Sequence, residues 1–386
     1  MHRFISPRIT FWRSVSAIIL ILGAYALLVR YTQGLGAATN LSDDFPWGLW
    51  IGFDVLCGVG LAAGGFTISS LVYIFNIKKF KPILRPALLT ALLGYILVIL
   101  ALLVDLGRPL RIWHAVIMWN PHSVMFEVAW CVLLYTGVLA LEFSPLLLER
   151  LHMRRILKVF RMSMPLLVIL GVILSTLHQS SLGSLYLIVP ERMSPLWYTP
   201  MLPVLYFVSA VMVGFAMVIF ESFMSSKAFN RHLEMSLLNE LGRILVFLIT
   251  IYGILRLQDL LNRDALIGFN QWSLGNALFM VEIIIGLLFP LVLLAIPKIR
   301  MIPAALFSGA VMVIMGFVLN RLNTVVTSFE MALGRVYVPS WMEIAVTIAI
   351  VNIGVIGFVL AARYLAVFPE GPLGLNERKG HAVPTI

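Results

Sequence analysis

Long, continuous apolar runs separated by short polar segments divide this chain. Each run has about 20 residues, the length that an α-helix needs to cross a bilayer. Apolar and polar positions do not alternate within the runs, and each run is about twice as long as a strand of a membrane barrel. The pattern therefore predicts ten membrane-spanning helices, at roughly 14–31, 50–75, 86–105, 123–142, 163–180, 201–223, 240–261, 273–296, 301–321 and 341–364.

The composition supports an all-α integral membrane protein. Hydrophobic residues make up 61% of the 386 residues and charged residues only 12%, about half of their share in soluble domains. Because a soluble protein of this size needs a charged surface, soluble globular, disordered and fibrous classes are excluded. The first run follows basic residues as a secretory signal does, but it is longer than a typical signal core and should be retained. We expect a membrane domain over residues 1–368 and a cytoplasmic tail over 369–386.

Lysine and arginine are distributed unequally between alternate connections. The two termini and every second connection together hold 20 of the 28 basic residues. By the positive-inside rule this side faces the cytoplasm, so both termini are expected to be cytoplasmic. We therefore attribute the net charge of +10 to residues that orient the chain in the membrane, and we expect no nucleic-acid partner. The eight basic residues of the other side are Arg30, Arg108, Arg111, Arg192, Arg256, Arg263, Arg321 and Arg335.

Seven acidic residues lie within the predicted spans or at their edges. An ionisable side chain at the bilayer centre costs at least ~2.5 kcal/mol on insertion scales, so each of them needs a reason. Three of them, Asp54, Glu127 and Glu282, lie in the outer half of their spans and have no cation near them in the same span. This isolation favours a functional role for these three acids.

The other four acidic residues also admit structural interpretations. Asp259 can pair with Arg256, which lies three residues earlier on the same helix face. Glu343 can cap the start of its helix. Glu142 and Glu221 lie at the predicted cytoplasmic ends of their spans, where a long side chain can reach the interface.

Histidine and cysteine positions limit the cofactors that the chain can hold. A haem between spans needs two histidines on facing helices at compatible depth. His178 closes the fifth predicted span at the outer side, whereas His114 and His122 flank the outer entrance to the fourth. The two cysteines, Cys57 and Cys131, are too few for an iron–sulfur cluster or a cysteine zinc site. We therefore expect no haem, cluster or metal in this chain.

Four segments are long and specific enough to compare with known families. They read FPWGLWIGFD at 45–54, DLGRP at 105–109, NPHSVMFE at 120–127 and STLHQSSLGSL at 175–185. Together they resemble the NrfD-like family, which includes the membrane subunit of polysulfide reductase. The last segment is similar to the HybB branch, the membrane subunit of periplasmic nickel–iron hydrogenases. The stretch 105–127 is similar to the equivalent subunit of the high-molecular-weight cytochrome complexes of sulfate reducers.

This resemblance implies a fold and a function. Spans 2–5 and 6–9 would form two four-helix bundles, flanked by spans 1 and 10. The chain would bind a quinone, expected to be menaquinone, near the outer surface of the bacterial inner membrane. It would exchange electrons with a periplasmic ferredoxin-like iron–sulfur subunit, in a complex that also contains hydrogenase or multihaem cytochrome c subunits. It would be a non-autonomous subunit of an oxidoreductase, possessing no haem of its own.

Reduction of a quinone requires groups that bind the two ring oxygens and groups that deliver two protons. His114, His122 or His178 suits the first role, because imidazole donates or accepts near neutral pH. Asp54 and Glu127 would relay protons beside the ring. The full set expected to line the quinone site is Trp47, Gly58, Gly64, Gly65, His114, His122, Ser123, His178, Gln179 and Arg256.

Two further polar routes follow from the acidic residues. Glu282 and Asp259 would extend a polar path through the second bundle. Glu142 and Glu221 would open a proton route from the cytoplasm, and such a route would couple turnover to proton translocation.

Three alternatives remain open, and one of them is a haem-bearing b-type subunit, for which ligation by two of these histidines is possible but strained. A transporter or proton channel is expected to bind its substrate at the membrane midplane between broken helices, whereas the acids here cluster in the outer third. A purely structural anchor would need none of Asp54, Glu127 and His178.

Overall fold

The computed structural model describes residues 11–270 and 273–368, so the predicted tail at 369–386 lies outside the described residues. Within the described ranges ten helices are long and apolar enough to cross a membrane, which confirms the predicted number. The same ranges contain no β-strand. We number the ten helices α1 (Phe11–Gln33), α2 (Trp50–Ile74), α3 (Lys78–Asp105), α4 (Val124–Arg150), α5 (Arg154–Ile188), α6 (Leu202–Phe229), α7 (Met235–Asn262), α8 (Leu274–Ala295), α9 (Pro303–Leu333) and α10 (Trp341–Tyr364).

Several helices continue beyond the apolar runs that predicted them. Helix α5 runs from Arg154 to Ile188, whereas the run covered only roughly 163–180. Helix α9 continues through Arg321 to Leu333, although the predicted span ended at that arginine. Charged and polar residues ended each predicted run, but a helix continues wherever its neighbours supply partners for such residues.

Eight of the helices form two groups, and in each group the last helix contacts the first. Each helix from α2 to α5 contacts the next, and α5 returns to α2. Each helix from α6 to α9 likewise contacts the next, and α9 returns to α6. Helices α2 and α6 are the most buried of the ten, and they pack against each other between the two groups. Helix α10 packs on α1, α3 and the start of α2, so α1 and α10 lie to one side.

Successive helices run in opposite directions, so the connections alternate between two ends. We call the end with the α1–α2, α3–α4, α5–α6, α7–α8 and α9–α10 connections the tryptophan end, because Trp47, Trp113, Trp119 and Trp197 lie in them. We call the opposite end the basic end, because it carries most of the lysine and arginine residues.

Three of the helices contain π-helical turns, in which an inserted residue shifts the side chains around the helix. They occur at Trp50–Cys57 and Ser70–Ile74 in α2, at Ile284–Leu288 in α8 and at Asn323–Thr327 in α9. Such turns are frequent at functional sites. Asp54 lies in the first of them, and Glu282 lies just before the π turn of α8.

Candidate functional site

Four polar side chains meet in the middle of the α2–α5 group. Tyr95 of α3, Tyr135 of α4, and Ser175 and His178 of α5 are at most 1% exposed. The ring centroids of Tyr95 and Tyr135 are 4.7 Å apart, and those of Tyr95 and His178 are 5.7 Å apart. We call these four residues the tyrosine–histidine cluster.

The polar atoms of this cluster have no hydrogen-bond partner within the described residues. They are the three hydroxyl groups and both ring nitrogens of His178. A buried polar group without a partner costs roughly 1–3 kcal/mol, so such groups are usually satisfied by a ligand, water or protein. The cluster is therefore suited to a ligand with oxygen atoms that donate or accept hydrogen bonds.

The cluster lies inside its helices rather than at their ends. His178 was predicted to close its span at the outer side, but α5 continues ten residues further, to Ile188. Tyr95 lies ten residues before the end of α3 at Asp105, and Tyr135 lies eleven residues after the start of α4. At 1.5 Å per residue, all three rings lie ~15 Å from the ends of their helices on the tryptophan side.

Two predicted residues lie next to this cluster. Gln179 is buried and donates to the carbonyl of Val59 in α2 at 3.2 Å, which holds α5 against α2. Glu142 is 3% exposed and accepts a hydrogen bond from Ser69 of α2 at 3.4 Å. It lies seven residues after Tyr135 on the same face of α4, ~10 Å closer to the basic end. Glu142 is thus an internal carboxyl group of the first bundle rather than an interfacial one.

Asp54 and Glu127 do not meet beside the cluster. Asp54 is 5% exposed and accepts a hydrogen bond from Thr347 of α10 at 2.8 Å, so its carboxylate lies at the seam between α2 and α10. Glu127 is exposed in the first turn of α4, where a negative charge favours the helix N-terminus. Among the described residues no hydrogen bond joins these two acids.

The predicted residues of the α3–α4 connection lie at the protein surface. His122 is exposed, and His114 packs edge-on against Trp113 with 4.2 Å between ring centroids. The Ser123 hydroxyl accepts a hydrogen bond from the backbone of Phe126 at 3.4 Å, which caps the N-terminus of α4. The structure does not bring any of these three to His178.

The predicted glycines of α2 face neighbouring helices. A Cβ on Gly58 would lie 2.8 Å from Val98 of α3, and one on Gly64 would lie 2.8 Å from Val218 of α6. A Cβ on Gly65 would collide with Ala91 of α3. Because the space beside each glycine is already occupied, these positions allow close packing of α2. Trp47 is the remaining predicted residue near α2.

Trp47 packs at the tryptophan end against both groups of helices. Its indole ring lies edge-on to Tyr186 of α5 at 5.3 Å and to Phe329 of α9 at 6.0 Å. The residue is half-buried, so it covers the end of the contact between the two groups.

Glu282 of α8 is the centre of a second buried network. Its carboxylate accepts N–H bonds from Trp197 at 2.9 Å, Asn320 at 2.8 Å and Asn323 at 2.9 Å. The carbonyl oxygen of the Asn320 side chain accepts in turn from Arg321 at 2.8 Å. Arg321 also donates to the Ser209 hydroxyl at 2.7 Å, and it is only 2% exposed. We call this set the Glu282 network.

Of the Glu282 network, the sequence interpretation identified only Glu282 itself. Arg321 had been counted among the basic residues of the outer side, at the end of its predicted span. Apolar residues resume after Arg321 at Val325, Val326 and Phe329. That resumption was the available signal that the arginine lies inside a helix.

Asp259 and Arg256 bind the α5–α6 connection rather than each other. Asp259 forms an ion pair with Arg263 at 2.6 Å and accepts a hydrogen bond from Thr199. Arg256 donates to the carbonyl of Leu196 at 2.7 Å. The i,i+3 pair that the spacing predicted is thus replaced by an i,i+4 pair.

Glu221 of α6 is separate from Glu142. It accepts a hydrogen bond from Thr90 of α3 at 2.7 Å. It also lines a cavity of about 90 Å³ at the basic end, together with Ser225 and His232. A carboxylate beside such a cavity is open to exchange with the aqueous phase of that end.

A comparison with known proteins assigns the family. Residues 37–332 match the family described as polysulphide reductase, NrfD. The chain belongs to the NrfD family. This confirms the resemblance carried by the four sequence segments.

Three relatives of this NrfD-family chain are similar along most of their length. A protein of Nitratidesulfovibrio vulgaris Hildenborough is 37% identical over 372 residues, 93% of this chain and 94% of the relative. The probable Ni/Fe-hydrogenase 2 b-type cytochrome subunit of Escherichia coli K12 is 35% identical over 368 residues, 94% of this chain and 93% of the relative. The menaquinone reductase integral membrane subunit of N. vulgaris is 31% identical over 378 residues, 90% and 89% of the two chains.

Proposed function

We propose that this chain is the quinone-interacting membrane subunit of a respiratory redox complex. It exchanges electrons between menaquinone and a periplasmic ferredoxin-like iron–sulfur subunit, and hydrogenase or multihaem cytochrome c subunits complete the complex. A hydrogenase subunit and a menaquinone reductase subunit among its relatives support this proposal. The basic end faces the cytoplasm of a bacterium, because 20 of the 28 basic residues lie on that side.

The tyrosine–histidine cluster is the observation that carries the proposal. A quinone head group has two carbonyl oxygens that accept hydrogen bonds, and its quinol form has two hydroxyl groups that donate them. Tyr95 and Tyr135 offer hydroxyl donors, and the imidazole of His178 can donate or accept. These groups are fully buried and lack partners within the described residues, so they are available to bind the two oxygens of a head group.

In this proposal different residues exchange protons with the quinone, orient its ring and supply protons to the site. His178 exchanges a proton with one ring oxygen, and Tyr95 or Tyr135 orients the other oxygen. Glu142 supplies protons from the basic end, since it lies on the same face of α4 as Tyr135 and contacts Ser69. Protons taken up there and released at the tryptophan end would couple turnover to proton translocation.

Asp54 and the Glu282 network have other roles in the proposal. Asp54, held by Thr347, exchanges protons with the tryptophan end. Glu282 accepts bonds from three N–H donors, so its carboxyl group organises the second bundle rather than relaying protons.

A substitution of His178 tests the proposed site. In the purified complex, His178→Gln should lower quinol-linked turnover at least about tenfold, because a positioned acid–base group is lost. Dye-linked activity of the peripheral subunits should stay unchanged, which shows that the complex is assembled. The control is His122→Gln, which alters an exposed histidine. Unchanged quinol turnover and unchanged menaquinone content in His178→Gln would refute the site.

The proposal includes no haem in this chain, although one relative is named a b-type cytochrome subunit. A haem held by two histidines needs a second imidazole opposite His178. The aromatic neighbour of His178 is instead Tyr95, and His114 packs on Trp113 at the surface. An optical spectrum of the purified chain decides this point, since a b-type α-band after reduction would contradict it.

A transporter is the second candidate function, because the tyrosine–histidine cluster lies inside its helices rather than at their ends. Transporters bind their substrates near the membrane midplane beside interrupted helices, and α2 contains two π-helical turns. Proteoliposomes that contain only this chain separate the two functions. Solute-driven proton flux in the absence of any quinone would favour a transporter.

A further inference from the structure

A groove of about 330 Å³ opens at the basic end, between the α2–α3 connection and α7. It lies away from the tyrosine–histidine cluster and from the Glu282 network. Its walls are the apolar side chains of Phe80, Ile244 and Phe247. Its charged groups are Lys79, Glu240 and Arg243. The groove thus combines an apolar surface with a charged rim.

The rim has an excess of one positive charge. Lys79 forms an ion pair with Glu240. Arg243 is exposed and makes no hydrogen bond or ion pair with any described residue. A monovalent anion at the rim would therefore balance the charge of Arg243.

A second guanidinium group adds to the positive field. Arg300 is buried behind Gly242 and donates to the Asn239 side chain at 2.9 Å and to the Leu294 carbonyl at 2.7 Å. Burial, and next the nearby charge of Arg243, lower the pKa of Arg300. An anion at the groove would relieve the repulsion between these two arginines.

An exposed apolar face of α7 continues from the groove towards the tryptophan end. Phe247, Ile254, Leu257 and Leu261 are 56–63% exposed and recur at helical spacing. The fourteen helical steps from Phe247 to Leu261 span ~21 Å along the helix, longer than the ~15 Å of one hydrocarbon leaflet. A molecule with an anionic head at Arg243 would find an apolar track for a chain of that length.

We propose that this groove binds the phosphate head group of an anionic glycerophospholipid, whose acyl chain lies along the exposed face of α7. Phe247 belongs to both surfaces, so head-group and acyl-chain contacts are continuous. A free phosphate ion would use only the rim, whereas a phospholipid uses the rim and the track. Basic rims of this kind on the cytoplasmic side attract anionic lipids.

Native mass spectrometry of the delipidated, purified full-length chain tests this site. Titration with phosphatidylglycerol should show one site of higher affinity, and phosphatidylcholine should bind more weakly. Arg243→Ala should weaken phosphatidylglycerol binding about fivefold, the effect of one basic residue at a membrane surface. Glu240→Gln should strengthen binding, because it removes the negative charge from the rim.

The matched control is Lys298→Ala, which removes an exposed positive charge at the same end but outside the groove. It should leave the affinity unchanged. Equal affinities in the Arg243 and Lys298 variants, or equal binding of the two lipids, would overturn the proposal. Full displacement of the lipid by millimolar inorganic phosphate would do so as well, since it would assign the site to a free anion.

Discussion

The indole N–H of Trp197 donates a hydrogen bond of 2.9 Å to the carboxylate of Glu282, although 85 residues separate them in the chain. Trp197 is fully buried, and Glu282 is 5% exposed. The bond therefore ties the α5–α6 connection to the interior of α8. It also supplies one of the three N–H groups that hold the buried carboxylate.

Removal of this single donor should destabilise the second bundle. Trp197→Phe keeps most of the ring volume but leaves one carboxylate bond unmade, at a cost of roughly 1–3 kcal/mol. The midpoint of thermal unfolding in detergent should fall relative to wild type. Trp12→Phe is the control, since Trp12 is 76% exposed. Equal midpoints for the two variants would contradict a stabilising role for the bond.

Arg321 and Glu282 should behave as a coupled pair although Asn320 lies between them. Arg321→Met alone should destabilise the chain, because it leaves the buried side chains of Asn320 and Ser209 without this donor, at roughly 1–3 kcal/mol for each unpaired group. Adding Glu282→Gln should recover part of this loss. A double-mutant cycle measured by unfolding gives the coupling, and strict additivity would show that the two charges are independent.

The hydroxyl groups of Tyr95 and Tyr135 should matter for turnover rather than for stability. Neither hydroxyl has a partner among the described residues, so phenylalanine at either position breaks no internal hydrogen bond. We expect an unchanged unfolding midpoint and an increased KM for menaquinol in the assembled complex. Tyr337→Phe is the control for stability. It removes a hydrogen bond to Glu343 and should therefore lower the unfolding midpoint. Normal quinol kinetics in both cluster variants would remove these hydroxyls from the site.

Glu142→Gln tests the proposed proton route from the basic end. Glutamine keeps the shape of the side chain but cannot release a proton, so turnover should fall while menaquinone content stays constant. The same variant in proteoliposomes should show less proton uptake from the basic end per electron transferred. Glu149→Gln is the control, since Glu149 pairs with Arg85 and Arg161 near the surface. A normal ratio of protons to electrons in Glu142→Gln would exclude this route.

About half of the predicted site residues are buried in the helix groups, and the rest serve other purposes. His178, Gln179 and Glu142 were recognised because polar residues are costly inside an apolar run. Their partners Tyr95 and Tyr135 were not recognised, because a tyrosine within a span is as typical of packing as of ligand binding. Ser123 was placed in the site, but the structure shows a helix cap.

The sequence by itself determined that the chain is an all-α membrane protein with ten spans. The length and continuity of an apolar run are local properties, and a bilayer imposes the same length on every helix that crosses it. Family membership was likewise readable from the four segments, all of which lie within the matched residues 37–332.

Only the tertiary structure decided which polar residues meet and how deep they lie. Arg30 and Arg321 had been counted among the basic residues of the outer side, at the ends of predicted spans, yet both are buried among other helices. Arg30 donates to the Val104 and Leu106 carbonyls, and Arg321 to Asn320 and Ser209. The cost of burying a charge depends on partners from distant helices. The sequence of a single span does not contain those partners, so the ends of helices, the position of His178 inside α5 and the Glu282 network required the packed molecule.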